Sequence, residues 1–183
     1  MLHPSLGEHP APVTAVAPAM HVKPVQEQDQ VQVLDHRDPT VAAAICSVLL
    51  PAYAQEAVLL GARHFAPLNK TAADVQASPD FHLGVVRTGQ LLGVLSIGPD
   101  DEAQALCIGL LVVLPRAQRQ GLGRRLVQEA LQRGPGMVFA VSTGAKNTPA
   151  LALYGQFGFV VYRDGTVGPE QLPLVKLRRP ATP

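Results

Sequence analysis

The pattern of apolar and polar positions predicts alternating strands and helices from about residue 29 onward. Short segments with alternating or continuous apolar residues are typical of strands, and longer segments with apolar residues three or four positions apart are typical of helices. The predicted strands are 31–35, 80–87, 91–98, 104–115, 137–142, 159–164 and 172–178. The predicted helices are 39–61, a short helix within 69–78, a helix that begins at Leu122, and 147–158.

Proline, glycine and capping residues indicate where these helices begin and end. Pro39 suits the first turn of the first helix, and Gly61 suits its end. Pro51 removes a backbone donor from the middle of this segment, which therefore forms either two helices or one kinked helix. Thr71 and Asp74 have the spacing of a capping box, and Asn147 can cap the last helix.

The order of elements predicts a mixed α/β fold. The strand, helix and strand in residues 104–142 form a crossover that should be parallel and right-handed. The remaining strands connect as hairpins, so we expect one mixed sheet with helices on both faces. Residues 1–28 are rich in proline and alanine and are expected to be a flexible leader, whereas 29–183 are expected to form one domain.

Composition narrows the classes of partner. The net charge is only +1 and the chain has no tryptophan, so nothing in its charge or aromatic content favours nucleic acid or an anionic membrane. No run of eighteen uninterrupted apolar residues predicts a membrane-spanning helix, and the N-terminal segment does not have the pattern of a secretory signal. Cys46 and Cys107 are expected to be buried free thiols, which fits a reducing cytoplasm.

A turn that contains Gly121 and Gly123, the glycine turn, follows the most apolar predicted strand. The segment AQRQGLGRRL (117–126) comes directly after IGLLVVLP (108–115). Glycines allow a backbone to approach an anion closely, and the first N–H groups of a helix have no partner within it. A strand, a Gly-x-Gly turn and a helix therefore suit a phosphate group. Arginines at 116, 119, 124 and 125 are candidates to neutralise further phosphates, or they simply form a solvated helix face.

Two common phosphate-binding patterns do not fit this turn. The dinucleotide-binding pattern Gly-x-Gly-x-x-Gly requires a third glycine where Leu126 stands. The P-loop requires Gly-Lys-Ser/Thr, which the segment STGAKNT (142–148) does not contain. These departures disfavour an NAD site and an ATP site.

Two segments in the second half of the chain resemble the GNAT superfamily of N-acetyltransferases. In VLPRAQRQGLG (113–123), the residues that match are Val113, Pro115, Gln118, Gly121 and Gly123. In NTPALALYGQFGF (147–159), those that match are Asn147, Ala150, Leu153, Tyr154, Gly158 and Phe159. The resemblance covers residues 31–178 and implies an acyl-CoA N-acyltransferase fold, in which two parallel strands splay apart around acetyl-CoA. It implies acetyl-CoA as the acetyl donor and no metal.

The resemblance also implies roles for particular residues. The expected cofactor-binding residues are Leu111, Val112, Val113, Gln118, Arg119, Gln120, Gly121, Leu122, Gly123, Arg124, Asn147 and Tyr154. Tyr154 is the expected catalytic residue, whose phenol protonates the leaving thiolate, although a purely packing role is the alternative. Asn147 caps a helix, contacts the cofactor, or does both. A backbone N–H near Val112 is a candidate donor to the thioester oxygen.

The general base is not evident from the sequence. Where relatives carry a carboxylate on the central strand, this chain has Cys107 and Gly109. Asp100, Asp101 and Glu102 lie just before that strand and are interpreted as a solvated turn. The other candidates are Glu56, His64, His82, and a water relay past Ser142 or Thr143. A role for Cys107 as a packing thiol is favoured over a role as an acyl-accepting nucleophile.

The region between the first two strands is expected to shape the acceptor pocket. From residue 41 to 79 the only acids are Glu56 and Asp74, which does not favour a polycationic substrate. We expect a small, weakly charged amine or an amino acid-like molecule, with Arg63 or His64 to receive a carboxylate. Tyr53, Phe65 and Leu68 are candidates for an apolar floor.

The sequence does not exclude two other functions. A catalytically silent acyl-CoA-binding module and an enzyme that acetylates protein amino groups are the two alternatives to small-molecule acetylation. The last strand offers an edge through which a homodimer can form, although the charges and proline in KLRRP at its end oppose such pairing.

Overall fold

The computed structural model describes residues 29–102 and 104–181. The strands are β1 (Gln30–Leu34), β2 (Phe81–Arg87), β3 (Gln90–Pro99), β4 (Ala105–Val113), β5 (Val138–Gly144), β6 (Val160–Val167) and β7 (Leu172–Arg179). The helices are α1 (Pro39–Leu60), α2 (Ala72–Gln76), α3 (Leu122–Arg133) and α4 (Thr148–Gly155). This order confirms the predicted succession of strands and helices. The predicted leader, residues 1–28, lies outside the described residues.

Helix α1 is continuous through Pro51, so of the two predicted alternatives, two helices or one kinked helix, the division into two helices is wrong. Asp38 caps its start by accepting hydrogen bonds from two backbone N–H groups, and Gly61 ends it with φ of 71°. By length and composition α1 would be able to span a membrane, with a mean hydropathy of 1.6. Its inward side chains, including Ile45, Val48 and Leu49, are instead fully buried in the core of this fold.

The predicted caps of the two short helices are confirmed. Thr71 accepts a hydrogen bond from the Asp74 N–H, and the Asp74 carboxylate accepts one from the Thr71 N–H, which completes a capping box before α2. Asn147 caps α4 by accepting a hydrogen bond from the Ala150 N–H at 3.2 Å.

All seven strands form one mixed sheet in the order β1-β2-β3-β4-β5-β7-β6. The pair β4–β5 is parallel, as the crossover through α3 predicts, and the other neighbouring strands are antiparallel. Leu60 of α1 lies against Gly144 of β5, whereas Gly134, at the end of α3, lies against Phe139 of β5. Residues five apart on a strand point to opposite faces, so α1 and α3 cover the two faces of the sheet.

The parallel strands separate after four paired positions. Pairing runs from Ala105 with Val138 to Ile108 with Val141, although β4 continues to Val113 and β5 to Gly144. A β-bulge lies at this point, because Ile97 pairs with Ile108 while the preceding Ser96 pairs with Leu110, which leaves Gly109 as the extra residue. The splayed parallel pair implied by the resemblance is therefore present.

The C-terminal strand does not lie at an edge of the sheet. Strand β7 pairs with β5 on one side and with β6 on the other, so the option that β7 pairs across a two-fold axis, already opposed by the charges and proline at its end, is wrong. The edge on this side is β6, whose eight residues are all exposed.

Candidate active site

A cavity of about 300 Å³ lies where β4 and β5 separate. Its floor comprises the last paired residues of these strands and the residues that follow them, from Ile108 to Leu111 and from Val141 to Gly144. The second half of α1 and the start of α4 form its walls, and the loops that follow α1 and β6 form its roof. The cavity thus brings together segments that are distant in the sequence.

Tyr154 lies on the wall of this cavity. Its residue is only 3% exposed, and its ring contacts Phe159 with a centroid distance of 5.4 Å. Burial raises the pKa of the Tyr154 phenol well above its ordinary value, and the nearby Glu56 carboxylate raises it further. The phenol therefore keeps its proton at neutral pH, as a proton donor must.

Glu56 projects from α1 into the same cavity. The Asn147 side chain donates a hydrogen bond from Nδ2 to Glu56 Oε1 at 3.0 Å. Burial raises the pKa of the Glu56 carboxyl, and the hydrogen bond from Asn147 opposes this effect in part. A buried carboxylate with a raised pKa is a suitable base near neutral pH. Among the candidate bases named from the sequence, Glu56 is the one carboxylate that lines the cavity in the described part of the chain.

Asn147 therefore has two polar contacts, one with each end of its amide. Oδ1 caps α4, while Nδ2 holds Glu56. Its predicted contact with a cofactor stays a prediction.

The roof of the cavity is held by one carboxylate from the β6–β7 loop. Glu170 accepts hydrogen bonds from the backbone N–H groups of Arg63 and His64, and Nδ1 of His64 lies 3.0 Å from Glu170 Oε1. The guanidinium of Arg63 is 4.0 Å from the same carboxylate and its side chain is 87% exposed. Both residues that were expected to receive a substrate carboxylate are thus engaged with Glu170.

The glycine turn lies between β4 and α3. Gly121 has φ of 82°, a left-handed conformation that glycine adopts without strain, and it offers no side chain to cap α3. The first backbone hydrogen bond of the helix runs from the Arg125 N–H to the Gly121 carbonyl at 3.1 Å. The N–H groups of Leu122, Gly123 and Arg124 precede it, so the helix itself supplies them with no acceptor. Such a helix start suits a phosphate.

The side chains around this turn differ in the contacts that they form within the protein. Gln118 donates from Nε2 to the Val113 carbonyl at 3.1 Å and to Gln55 Oε1 at 2.8 Å, so it fixes the turn against β4 and α1. Arg124 lies over the Phe157 ring, 5.9 Å from its centroid. Arg119 has φ of 63°, an uncommon value for a residue with a side chain.

Arg125 belongs to an ion cluster rather than to the open part of the turn. Asp29 accepts a 2.6 Å hydrogen bond from Arg87 Nε and lies 3.6 Å from the Arg125 guanidinium. Arg87 also donates to Gln120 Oε1 at 2.9 Å. This cluster attaches the turn to the N-terminal strand region, and sequence analysis did not detect it because its members are far apart in the chain.

The three predicted cofactor-binding residues of β4 occupy different positions. Leu111 lines the cavity. Val112 is buried in the core, and the Val113 carbonyl is occupied by Gln118. All three lie beyond the last position at which β4 pairs with β5. This stretch of β4 is therefore free of β5, as an added strand-like ligand requires.

Most of the other candidate bases lie outside the cavity. Asp100 is not in a solvated turn, because its side chain is 4% exposed and forms an ion pair with Lys176 at 2.8 Å. Glu102 accepts a hydrogen bond from the Tyr162 hydroxyl at 3.0 Å. His82 is buried away from the cavity lining, and its Nε2 has no hydrogen-bond partner among the described residues. Ser142 and Thr143 do line the cavity.

The two cysteines are free thiols, as expected, although each is half-buried rather than fully buried. Burial raises the pKa of the Cys107 thiol, and the nearby Asp100 carboxylate adds to this effect. Cys107 is therefore a protonated thiol at neutral pH, which disfavours it as a nucleophile.

Asp80 is a polar residue that sequence analysis missed. Its Oδ2 accepts a 2.9 Å hydrogen bond from Ser96 Oγ, and it lies 2.8 Å from the point where a Cβ on Gly109 would stand. The lack of a side chain at Gly109 makes room for this carboxylate beside the bulge. Only the three-dimensional proximity of β2, β3 and β4 reveals the arrangement.

Comparison with known proteins agrees with this geometry. Residues 44–159 match the Acetyltransferase (GNAT) family. A curated relative, UPF0157 protein YqkA of Bacillus subtilis (strain 168), is 34% identical over 130 residues, which make up 70% of this chain and 37% of that protein. The chain thus spans little more than a third of the length of this relative.

Solved structures share the fold at low sequence identity. The ribosomal-protein-S18-alanine N-acetyltransferase from Escherichia coli is 17% identical with a TM-score of 0.66, covering 85% of this chain and 96% of that one. An acyl-CoA N-acyltransferase from Pseudomonas aeruginosa is 24% identical with a TM-score of 0.62, covering 83% of this chain and 99% of that one. Together with the two motifs and the splayed strands, the family match shows that the chain belongs to the GNAT family of acetyltransferases.

Proposed function

We propose that this protein transfers an acetyl group from acetyl-CoA directly to the amine of a small molecule that is not strongly cationic. The observation that carries the proposal is the cavity at the splayed strands, which both Tyr154 and Glu56 line. The bare glycine turn lies at the other end of the free stretch of β4. We also propose a cytoplasmic location.

The residues around the splay fit an acyl-CoA ligand. Backbone groups of β4 beyond Ile108 are free of β5 and suit the amides of a pantetheine arm. The N–H groups at residues 122–124 and the flanking arginines suit a pyrophosphate. Acetyl-CoA supplies an activated acetyl thioester at this position.

Two side chains have the properties that acetyl transfer requires. Glu56 accepts the proton that the ammonium form of the amine must lose before its nitrogen attacks the acetyl carbon, and the second N–H proton passes to solvent as the carbon–nitrogen bond forms. Tyr154 donates its proton to the sulfur that is released as the carbon–sulfur bond breaks. A backbone N–H of β4 beyond the bulge stabilises the charge on the thioester oxygen.

The dimensions of the cavity favour a small acceptor over a protein. Its volume of about 300 Å³ is at the lower end of the range for ligand pockets. The alternative of a catalytically silent module is disfavoured, because such a module needs neither a buried phenol nor a buried carboxylate in the cavity.

Thermal unfolding with ligands tests the cofactor first. Acetyl-CoA, CoA and adenosine 3′,5′-bisphosphate should each raise the unfolding midpoint, since a ligand at about a hundred times its Kd adds about 2.7 kcal/mol. Thiol release in the presence of small amines should then report turnover. If none of the three ligands raises the midpoint, the proposed function is wrong. Binding without any acceptor-dependent thiol release would favour the silent module.

A further inference from the structure

The charge distribution in the cavity restricts the chemistry of its acceptor. Among the described residues that line the cavity, Glu56 is the one acidic residue and His64 is the one basic residue. We infer that the acceptor is a primary monoamine on an apolar body, whose amino end binds at Glu56. This inference rests on the proposed function and names the substrate class for the same site.

Glu56 retains an open oxygen for an ammonium group. Asn147 occupies Oε1 at 3.0 Å, and no described residue donates a hydrogen bond to Oε2. Because the carboxylate is half-buried, its attraction for a cation is screened less than that of a fully exposed carboxylate. A single ammonium group thus has a single counter-charge in this cavity.

The cavity lining around Glu56 is apolar and suits a hydrocarbon or aromatic body. The rings of Tyr53 and Phe65 meet edge to face, with centroids 6.0 Å apart and an angle of 73° between their planes. Burial raises the pKa of Tyr53 to about 12, so this ring carries no charge at neutral pH. Leu60, Leu111 and Leu172 also line the cavity.

Among the described residues that line the cavity, no cation is left free for a carboxylate on the acceptor. His64 is held by Glu170 at 3.0 Å, and the Arg63 side chain extends into solvent beside the same carboxylate. A carboxylate next to the acceptor's amine would therefore lie close to Glu56 without a counter-charge, which is costly in a buried site. Of the two acceptor classes expected from the sequence, the amino acid-like molecule is therefore disfavoured.

A second ammonium group on the acceptor is disfavoured for the same reason. Glu56 is the one acidic residue among the described cavity-lining residues. The second cation of a diamine would have to be desolvated against the apolar wall of Tyr53, Phe65 and the leucines. Burial of an unpaired ammonium group is strongly unfavourable.

Two matched pairs of acceptors test the inference on the unaltered full-length protein. The first pair is 2-phenylethylamine and phenylalanine, which differ by one carboxylate; the second is pentylamine and 1,5-diaminopentane, which differ by one amino group. We expect kcat/KM, followed by thiol release, to be at least about tenfold higher for the monoamine of each pair, equivalent to about 1.4 kcal/mol. Equal or better use of phenylalanine or the diamine would overturn the inference.

The result also separates this inference from the proposed function. If acetyl-CoA binds and phenylalanine is acetylated faster than 2-phenylethylamine, N-acetyl transfer stands and only the substrate class is wrong. If acetyl-CoA binds but neither monoamine increases thiol release above the acceptor-free rate, the substrate class is again overturned. If acetyl-CoA does not bind, the proposed function itself has failed.

A variant tests the assigned partner of the amine. Glu56→Gln keeps the hydrogen-bonding shape but removes the charge, so it should raise KM for the monoamine while leaving acetyl-CoA binding unchanged. Glu129→Gln is the matched control, because Glu129 lies on α3 outside the cavity and pairs with Arg133. An unchanged KM and pH profile in Glu56→Gln would contradict the assignment.

Discussion

At the scale of single residues, burial determines the protonation of the two side chains proposed to move protons. Tyr154 is almost fully buried, and burial raises the pKa of its phenol, so the proton stays in place until the thiolate forms. Glu56 is half-buried, and this partial burial raises the pKa of its carboxyl and makes it a stronger base. The same environment thus keeps the phenol protonated and makes the carboxylate a better proton acceptor.

Replacement of Tyr154 by Phe removes the proton donor and keeps the ring. Because general acid catalysis typically contributes at least about a hundredfold, kcat should fall by about that factor. Binding of acetyl-CoA, measured by thermal shift, should persist. Tyr162→Phe on the exposed edge strand β6 is the control and should keep full activity. An unchanged kcat in Tyr154→Phe would assign this residue a packing role.

The Glu56→Gln variant should also show how burial of this carboxyl affects stability. The pKa of Glu56 is raised in the folded protein above its ordinary value of 4.5. Between the ordinary pKa and the raised pKa, the folded state therefore binds more protons than the unfolded state. The free energy of unfolding falls as pH rises through this window. Glu56→Gln has no carboxyl to lose a proton, so its stability does not fall in this window. Its unfolding midpoint should therefore exceed that of the unaltered protein at pH 7.

Urea unfolding at a series of pH values measures this difference. The advantage of Glu56→Gln should grow as pH rises from about 4.5 and then become constant above the raised pKa. A variant that becomes relatively less stable as pH rises would show that the charged form of Glu56 is favoured by folding, which contradicts the direction given by burial.

At the scale of elements, short-range chemistry at the ends of helices determines where each begins. Asp38, Thr71 and Asn147 each accept hydrogen bonds from the first backbone N–H groups of a helix. Helix α3 differs, because Gly121 precedes it and provides no such acceptor. The uncapped helix is the one whose free N–H groups suit a pyrophosphate.

Gly121→Ala tests the conformation of this turn. No atom lies within 4 Å of the added methyl group, so the cost comes from the left-handed backbone with φ of 82°. The free energy of unfolding should fall by about 1–2 kcal/mol, measured by urea unfolding. Affinity for acetyl-CoA should also fall, because the N–H groups that follow would shift.

Gly155→Ala is the matched control for that substitution. Gly155 lies in α4, and no atom lies within 4 Å of its added methyl group either. Alanine favours a helix over glycine by about 1 kcal/mol, so this variant should gain stability. If both variants changed stability in the same direction, backbone conformation would not be the cause.

At the scale of the whole molecule, one carboxylate connects two distant loops above the cavity. Glu170 accepts hydrogen bonds from residues 63 and 64, although more than a hundred positions separate them in sequence. The Arg63 N–H lowers the pKa of Glu170 most strongly, and the bonds from His64 lower it further. This contact holds the roof that makes the cavity small.

Glu170→Gln should loosen the roof without affecting the sheet. Because its folded pKa is lowered, Glu170 contributes stability above its unfolded pKa, and this contribution is lost as pH falls through the folded pKa. The variant should therefore resemble the unaltered protein at acid pH. At neutral pH we expect faster hydrogen exchange in residues 61–70 and a higher KM for the amine. Unchanged exchange would show that other contacts hold the roof.

Much of the fold could be predicted because its causes are local. The alternation of apolar residues, the capping box at Thr71 and the prolines identified the elements and their order. Pro51 is the exception, since proline is unfavourable within a helix in isolation. The burial of Ile45, Val48 and Leu49 on α1 explains why the helix continues, because packing outweighs one lost hydrogen bond.

The sequence by itself identified the family, the position of the glycine turn, and Tyr154 as the expected catalytic residue. These depend on residue types at fixed spacings along one segment. The tertiary structure decided which acid enters the cavity, how its roof is held, and that β7 lies inside the sheet. Those features depend on contacts between residues such as Glu56 and Asn147, which are far apart in the chain. Local propensity carries no information on such contacts, whereas strand pairing and burial impose them.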